Sequence, residues 1–202
     1  MCEDQAGTIW VGTSGAGVGR FDGRVIQTMN ATDGLAGNMV QSLCACHDGS
    51  VWIGTNGGLT RYHPPAAFPP PVFIDAIVAG RRYESETEIE IESSVGLVAF
   101  EFHGMSFKTM PDSLLYRCRL SGFDNDWRPV RDGRIEYQDL PPGAYTFEVV
   151  AIDRDLVYSE QIATRALTVA TDTRDEQIDE LEQRVRERTR ALEDSPDAVG
   201  AI

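Results

Sequence analysis

The chain has 202 residues, of which 42% are hydrophobic and 25% charged, a balance that leaves room for one or two packed domains. Its 18 Lys plus Arg against 32 Asp plus Glu give a net charge of −14, which repels phosphate backbones and argues against nucleic acid as a partner. No apolar run reaches the ~18–20 residues of a membrane span, and Met1-Cys2-Glu3-Asp4-Gln5 lacks the basic and apolar parts of a signal peptide; the segment is therefore expected to make no membrane contact.

Residues 1–63 contain a repeat. Asp4-x-x-x-x-Ile9-Trp10-x-Gly12-Thr13 with Arg20-Phe21 is copied by Asp48-x-x-Val51-Trp52-x-Gly54-Thr55 with Arg61-Tyr62. The two tryptophans are 42 positions apart, and Arg20 and Arg61 are 41 apart, a period that points to β-propeller blades. Trp10 and Trp52 are expected at equivalent core positions. The segment resembles the two-component regulator propeller repeat, which implies a sensor. About one and a half blades are present, whereas closure takes at least about four; the chain is therefore expected to be the end of a longer sensor, its blades poorly supported alone. Gly12, Gly15, Gly17 and Gly19 do not make a phosphate loop, because Arg20 stands where a further glycine would fall and no helical pattern follows.

Cys44 and Cys46 fall two apart in an extended run, and Cys2 and Cys118 stand alone. With His47 and His63 they complete no zinc-like spacing, so all four are read as packed thiols, and no metal or cofactor is expected. Residues 64–71 carry most of a proline-rich stretch beginning at His63 and read as a semi-rigid linker.

Period-two patterns then predict strands at 72–79, 87–92, 95–102, 114–120, 145–152 and 162–169, with a short pair around the Asp132-Gly133 turn. About seven strands in some hundred residues suggest an antiparallel β-sandwich. Glu84, Glu86, Glu88, Glu90 and Glu92 are expected on one solvated face of the second strand, and Asp124-Asn125-Asp126 is only a weak calcium-like signal. Tyr116-x-Cys118-x-Leu120-x-Gly122-Phe123-Asp124-x-Asp126-Trp127, Tyr137, and Leu140-Pro141-Pro142-Gly143-x-Tyr145-x-Phe147-x-Val149 resemble the Y_Y_Y domain over 72–170. That resemblance implies a fibronectin-III-like sandwich following regulator propellers in bacterial sensors, with a periplasmic location. A cytoplasmic location is the alternative from the chain alone. It supplies no catalytic residue, and Cys118 stands where the family often has an aromatic. His47, His63 and His103 stand singly, and no Gly-x-Ser-x-Gly or His-Glu-x-x-His motif occurs. No enzyme is expected.

Residues 171–194 change period. Thr173-x-x-Glu176 is a capping box, and Ile178, Leu181, Val185 and Leu192 form a heptad seam expected to pair weakly with a second copy as a parallel coiled coil. The run Gln183–Glu193 resembles the signalling helix that precedes kinase or cyclase output domains, and residues 195–202 are a short tail. The leading reading is a non-catalytic sensor or transducer segment joined to such an output domain. A carbohydrate-binding or adhesion module, or the input half of a cytoplasmic transcription regulator, are the alternatives.

Overall fold

The computed structural model describes residues 1–86, 88–172, 183–187 and 189. Among them the chain is mainly β, and four sheets account for nearly all of its regular structure.

The first sheet is β1 (Cys2–Glu3), β2 (Ile9–Gly12), β3 (Val18–Phe21) and β4 (Ile26–Met29), antiparallel in that order. The second is β5 (Val40–Ala45), β6 (Val51–Thr55) and β7 (Gly58–Tyr62). The repeat is visible in the register: Trp10 pairs with Arg20 and Trp52 with Arg61. Trp10, Val18, Met29, Leu35, Val51 and Ile53 form a core shared by both sheets. The motif glycine Gly12 permits their approach, because a Cβ there would sit 2.5 Å from the Val40 side chain. Gly17 has φ +82°, and a Cβ there would meet the Met29 carbonyl oxygen at 2.1 Å; only glycine fits that turn. Trp10 is buried at 1% exposure, its indole N–H donating to Asp4 at 2.7 Å. Trp52, expected to be equally buried, is 36% exposed. Tyr62 of the second sheet covers Trp10 with ring centroids 5.0 Å apart, whereas over Trp52 lies the exposed Arg61 guanidinium, 5.8 Å from the ring centroid.

The linker follows without regular structure, held by the Lys108 ammonium donating to the Ala66 carbonyl and by the Met105 N–H on the Pro71 carbonyl. Two facing sheets come next. One contains β8 (Val72–Ala79), β9 (Arg81–Tyr83), β11 (Leu97–Gly104) and β14 (Arg134–Gln138), ordered β14-β11-β8-β9. The other contains β10 (Glu90–Glu92), β12 (Leu115–Ser121), β13 (Arg128–Val130), β15 (Gly143–Ile152) and β16 (Ala163–Ala170), ordered β10-β16-β15-β12-β13. Their inner faces supply the largest core: Phe100 stacks on Phe147 at 4.2 Å, and Phe102 meets Tyr116 edge-on at 5.1 Å.

Three features depart from the sequence reading. The sandwich is not wholly antiparallel, because β10 pairs in parallel with β16. The strands flanking Asp132-Gly133 do not pair with each other: β13 joins β12 while β14 crosses to β11. The acidic row is a strand only over Glu90–Glu92, where Ile91 is buried and both glutamates are exposed. Placed at the sheet edge, those charges discourage pairing with a further strand.

The three tyrosines of the 116–149 motif are packed with satisfied hydroxyls. The Gly104 N–H donates to the Tyr116 hydroxyl at 3.0 Å, the Tyr137 hydroxyl donates to Asp124 at 2.5 Å, and the Tyr145 hydroxyl donates to the Pro141 carbonyl at 2.7 Å. Asp124 also accepts the Leu120 N–H at 2.8 Å and lies 3.5 Å from Arg128, so the carboxylate singled out as calcium-like is spent on internal bonds. Cys118 is fully buried, and burial pushes its thiol well above the ordinary range. All four cysteines are free thiols.

Candidate functional site

The most constrained polar arrangement lies where the repeat sheets meet the sandwich. It is built on the loop that leaves β15. Asp153 is fully buried and accepts the N–H groups of Asp155 at 2.8 Å and Val157 at 2.9 Å. This side-chain bridge forces a tight reversal, completed by the Ile152–Tyr158 bridge and by Leu156 in the left-handed region at φ +62°. A leucine there is strained by about 1–2 kcal/mol, so the surroundings hold the loop rather than its own preference. Burial first, and Asp155 beside it, raise the Asp153 carboxyl above its usual range.

The loop presents Asp155 and Tyr158 to the repeat sheets. Arg20 of β3 is 2% exposed, lying 5.3 Å from the Trp10 ring and 5.0 Å from the Tyr62 ring, and its guanidinium reaches Asp155 at 3.9 Å. The Tyr62 hydroxyl donates to Asp155 at 3.2 Å. On the other side the Tyr158 hydroxyl donates to Asp22 at 2.6 Å. Burial alone would raise the Asp22 carboxyl, but the Tyr158 hydroxyl and the backbone N–H groups of Val25 and Arg24 outweigh it and hold it low. Burial, with Asp22 beside it, pushes the Tyr158 phenol up to about 12, and burial does the same to Tyr62. Between these polar arms sit Val25, Leu115 and Ile152, with Leu156 and Tyr158 against them. The Gln27 amide donates to the carbonyls of Ser113 and Asp153 at 3.1 and 3.4 Å. A crevice of about 290 Å³ opens beside the contact, walled by Asp33, Thr60, Tyr62, His63, Arg154 and Asp155.

The sequence motif draws attention to 116–149 and does not single out 153–158. Arg20 and Tyr62 entered only as ends of the repeat, and their shared partner Asp155 is far along the chain. An Asp-x-Asp with a tyrosine three residues later, directly after the longest strand, was the available signal. His103, read as standing alone, bonds Asp75 at 2.8 Å and stacks on Phe73 at 5.3 Å on the outer sandwich face. Among the described residues no group of three or more His, Cys, Asp or Glu is placed to hold a metal ion. Of the heptad seam, Val185 lies in the helical stretch 183–187 and is 62% exposed. Ile178, Leu181, Leu192 and the capping box lie outside the described residues.

This is a mainly β chain in which a two-sheet domain receives a smaller pair of repeat sheets at one end. Residues 108–170 match the model of the Y_Y_Y domain, bearing out the resemblance carried by the Tyr116–Val149 motif. Among solved structures, the chain is similar to the extracellular domain of a protein described as a hybrid two-component system of B. thetaiotaomicron, at 20% identity with a TM-score of 0.56, covering 84% of this chain and 25% of the other. The extracellular domain of a second such protein of that organism is similar at 18% identity and TM-score 0.43, over 84% and 24%. The first likeness shows a shared fold. The chain spans about a quarter of the length of these structures. No curated protein matches it, and among the described residues no helix is long and apolar enough to cross a membrane.

Proposed function

We propose that this chain is a non-catalytic transducing segment of a longer two-component-type sensor. In this reading the repeat sheets are the end of a ligand-sensing propeller, and the sandwich carries their state to an output helix. That helix pairs with its copy through Ile178, Leu181, Val185 and Leu192 and passes the state to a kinase or cyclase. The observation that supports it most is the placement of the two ends. β15 runs ten residues from Gly143, beside Val169 near the end of β16, to Ile152 at the joint. At ~3.3 Å per residue that strand spans about 30 Å, so one continuous strand links the loop gripping the repeat sheets to the chain's exit. The match at 108–170 and the shared fold with an extracellular sensor domain support the same reading, and with it a periplasmic location. Fusing the full chain to a reporter kinase tests it: Tyr158→Phe with Gln27→Ala, which loosens the joint, should change autophosphorylation several-fold. Unchanged output in a folded fusion would remove the transducing role.

A further inference from the structure

We propose that the pocket between the linker and the loop joining β11 to β12 is a binding site for a small aromatic carboxylate, separate from the repeat sheets to which the reading above gives the sensing. Its volume of about 410 Å³ lies within the range of small-molecule sites. The lining comes from two segments, Phe68 with Pro69 to Pro71 of the linker and Met105 with Phe107 of the loop. The Met105 N–H on the Pro71 carbonyl at 2.9 Å and the Lys108 ammonium on the Ala66 carbonyl at 2.6 Å tie these segments together, so the cavity is formed before a ligand arrives. Phe68 is 66% exposed and Phe107 fully exposed. Such rings, with the flat faces of the prolines, suit a flat aromatic body laid against them.

The polar part of the lining selects the charge of the ligand. Lys108 is the only lysine among the chain's 18 basic residues, and its ammonium lies 4.8 Å from the Phe68 ring. Among the described residues it enters no ion pair. An ammonium has three protons to donate, and the Ala66 carbonyl takes one. Ser106, also in the lining, accepts the N–H groups of Lys108 and Thr109 at 3.2 Å each, which leaves its hydroxyl proton free to donate. Spare donors beside an apolar wall call for an anion, and the two oxygens of a carboxylate accept from both. The net charge of −14 does not prevent this, because physiological salt screens charges beyond about 8 Å whereas Lys108 is in direct contact. The pocket also adjoins the joint. The Thr109 hydroxyl oxygen accepts the Arg154 N–H at 3.1 Å, and the Ser113 carbonyl of the same loop accepts from the Gln27 amide. An occupied pocket therefore steadies the segment on which both bonds rest.

Calorimetric titration of the full chain with 2-naphthoate, carried to millimolar ligand, tests the site, with 2-naphthamide as the neutral isostere. The acid should bind, and the amide should bind at least about tenfold more weakly. Lys108→Met, which keeps an apolar stem, should remove that preference, and Lys108→Arg should retain it. Phe107→Ser, at a fully exposed position, should weaken both ligands while the unfolding midpoint holds. Because the chain has one lysine, acylation of Lys108 by an amine-reactive ester reports occupancy directly. Saturating naphthoate should slow that acylation, and amide exchange at Arg154 should slow with it. No binding at millimolar naphthoate, acid and amide binding equally, or affinity unchanged by Phe107→Ser would each overturn the proposal. Binding that leaves Arg154 exchanging as in the free chain would overturn the connection to the joint.

Discussion

Replacing Asp155 by asparagine removes the counter-charge of a guanidinium that has no route to water. The Arg20 and Asp155 side chains are 2% and 6% exposed and 3.9 Å apart, so screening by solvent is slight. At an effective dielectric constant near 20, unit charges at that separation attract by about 4 kcal/mol. Removing one partner of a buried pair costs about 3–5 kcal/mol, because the other charge stays desolvated. The ring faces of Trp10 and Tyr62 go on stabilising the cation, which places the expected loss for Asp155→Asn near the lower figure, about 3 kcal/mol. The asparagine retains an oxygen for the Tyr62 hydroxyl, which isolates the charge. The double change Arg20→Met with Asp155→Asn should instead recover most of that loss, since no charge is stranded and the Tyr62 hydroxyl keeps its acceptor. Urea unfolding followed by tryptophan fluorescence reads both, Trp10 lying against the pair. A loss below about 1 kcal/mol for Asp155→Asn would refute the reasoning, because the two side chains would then not be acting on each other in a water-poor joint.

Other consequences can be checked in the same preparations. Gly17→Ala should lower stability by at least about 1–2 kcal/mol for the left-handed backbone alone, with the Met29 carbonyl clash added; the thermal midpoint reads it. Tyr62 and Tyr158 ionise at about 12 in the folded chain and near 10 when unfolded. The folded state therefore holds more protons between those values, and stability that is complete below about 10 should fall as pH rises towards 12. Tyr158→Phe should flatten part of that slope in urea midpoints taken from pH 9 to 11.5. Thiol labelling of the native chain should modify exposed Cys44 promptly and leave Cys118, buried and with its thiol shifted up, unreacted until unfolding.

Local patterns were legible and distant pairings were not. Alternation at 116, 118, 120 and at 145, 147, 149 marks two strands, and those residues meet directly, Cys118 opposite Val149 and Leu120 opposite Phe147. Side-chain period depends only on neighbours in the chain, so it survives without knowledge of the fold. The repeat located Trp10 and Trp52 at matching register positions, but burial depends on what lies across from each, and only Trp10 has a covering sheet. The crossing of β14 to the opposite sheet and the parallel placement of β10 depend on which edge is vacant. The joint was hidden for the same reason: Arg20, Tyr62 and Asp155 form one cluster from three well-separated segments, and an Asp-Arg-Asp loop alone reads as a solvated turn.

A sandwich that transduces must carry a change at the joint to the far end of the chain. Amide hydrogen exchange across β15 and β16 measures this directly. The parent chain is compared with Tyr158→Phe and Gln27→Ala, which remove the hydroxyl bond to Asp22 and the amide bonds to Ser113 and Asp153. Protection at Leu167 to Val169, about 30 Å from the changed residues, should be altered. Changes confined to the surroundings of Val25, Leu115 and Ile152, with β16 exchanging as in the parent, would contradict it.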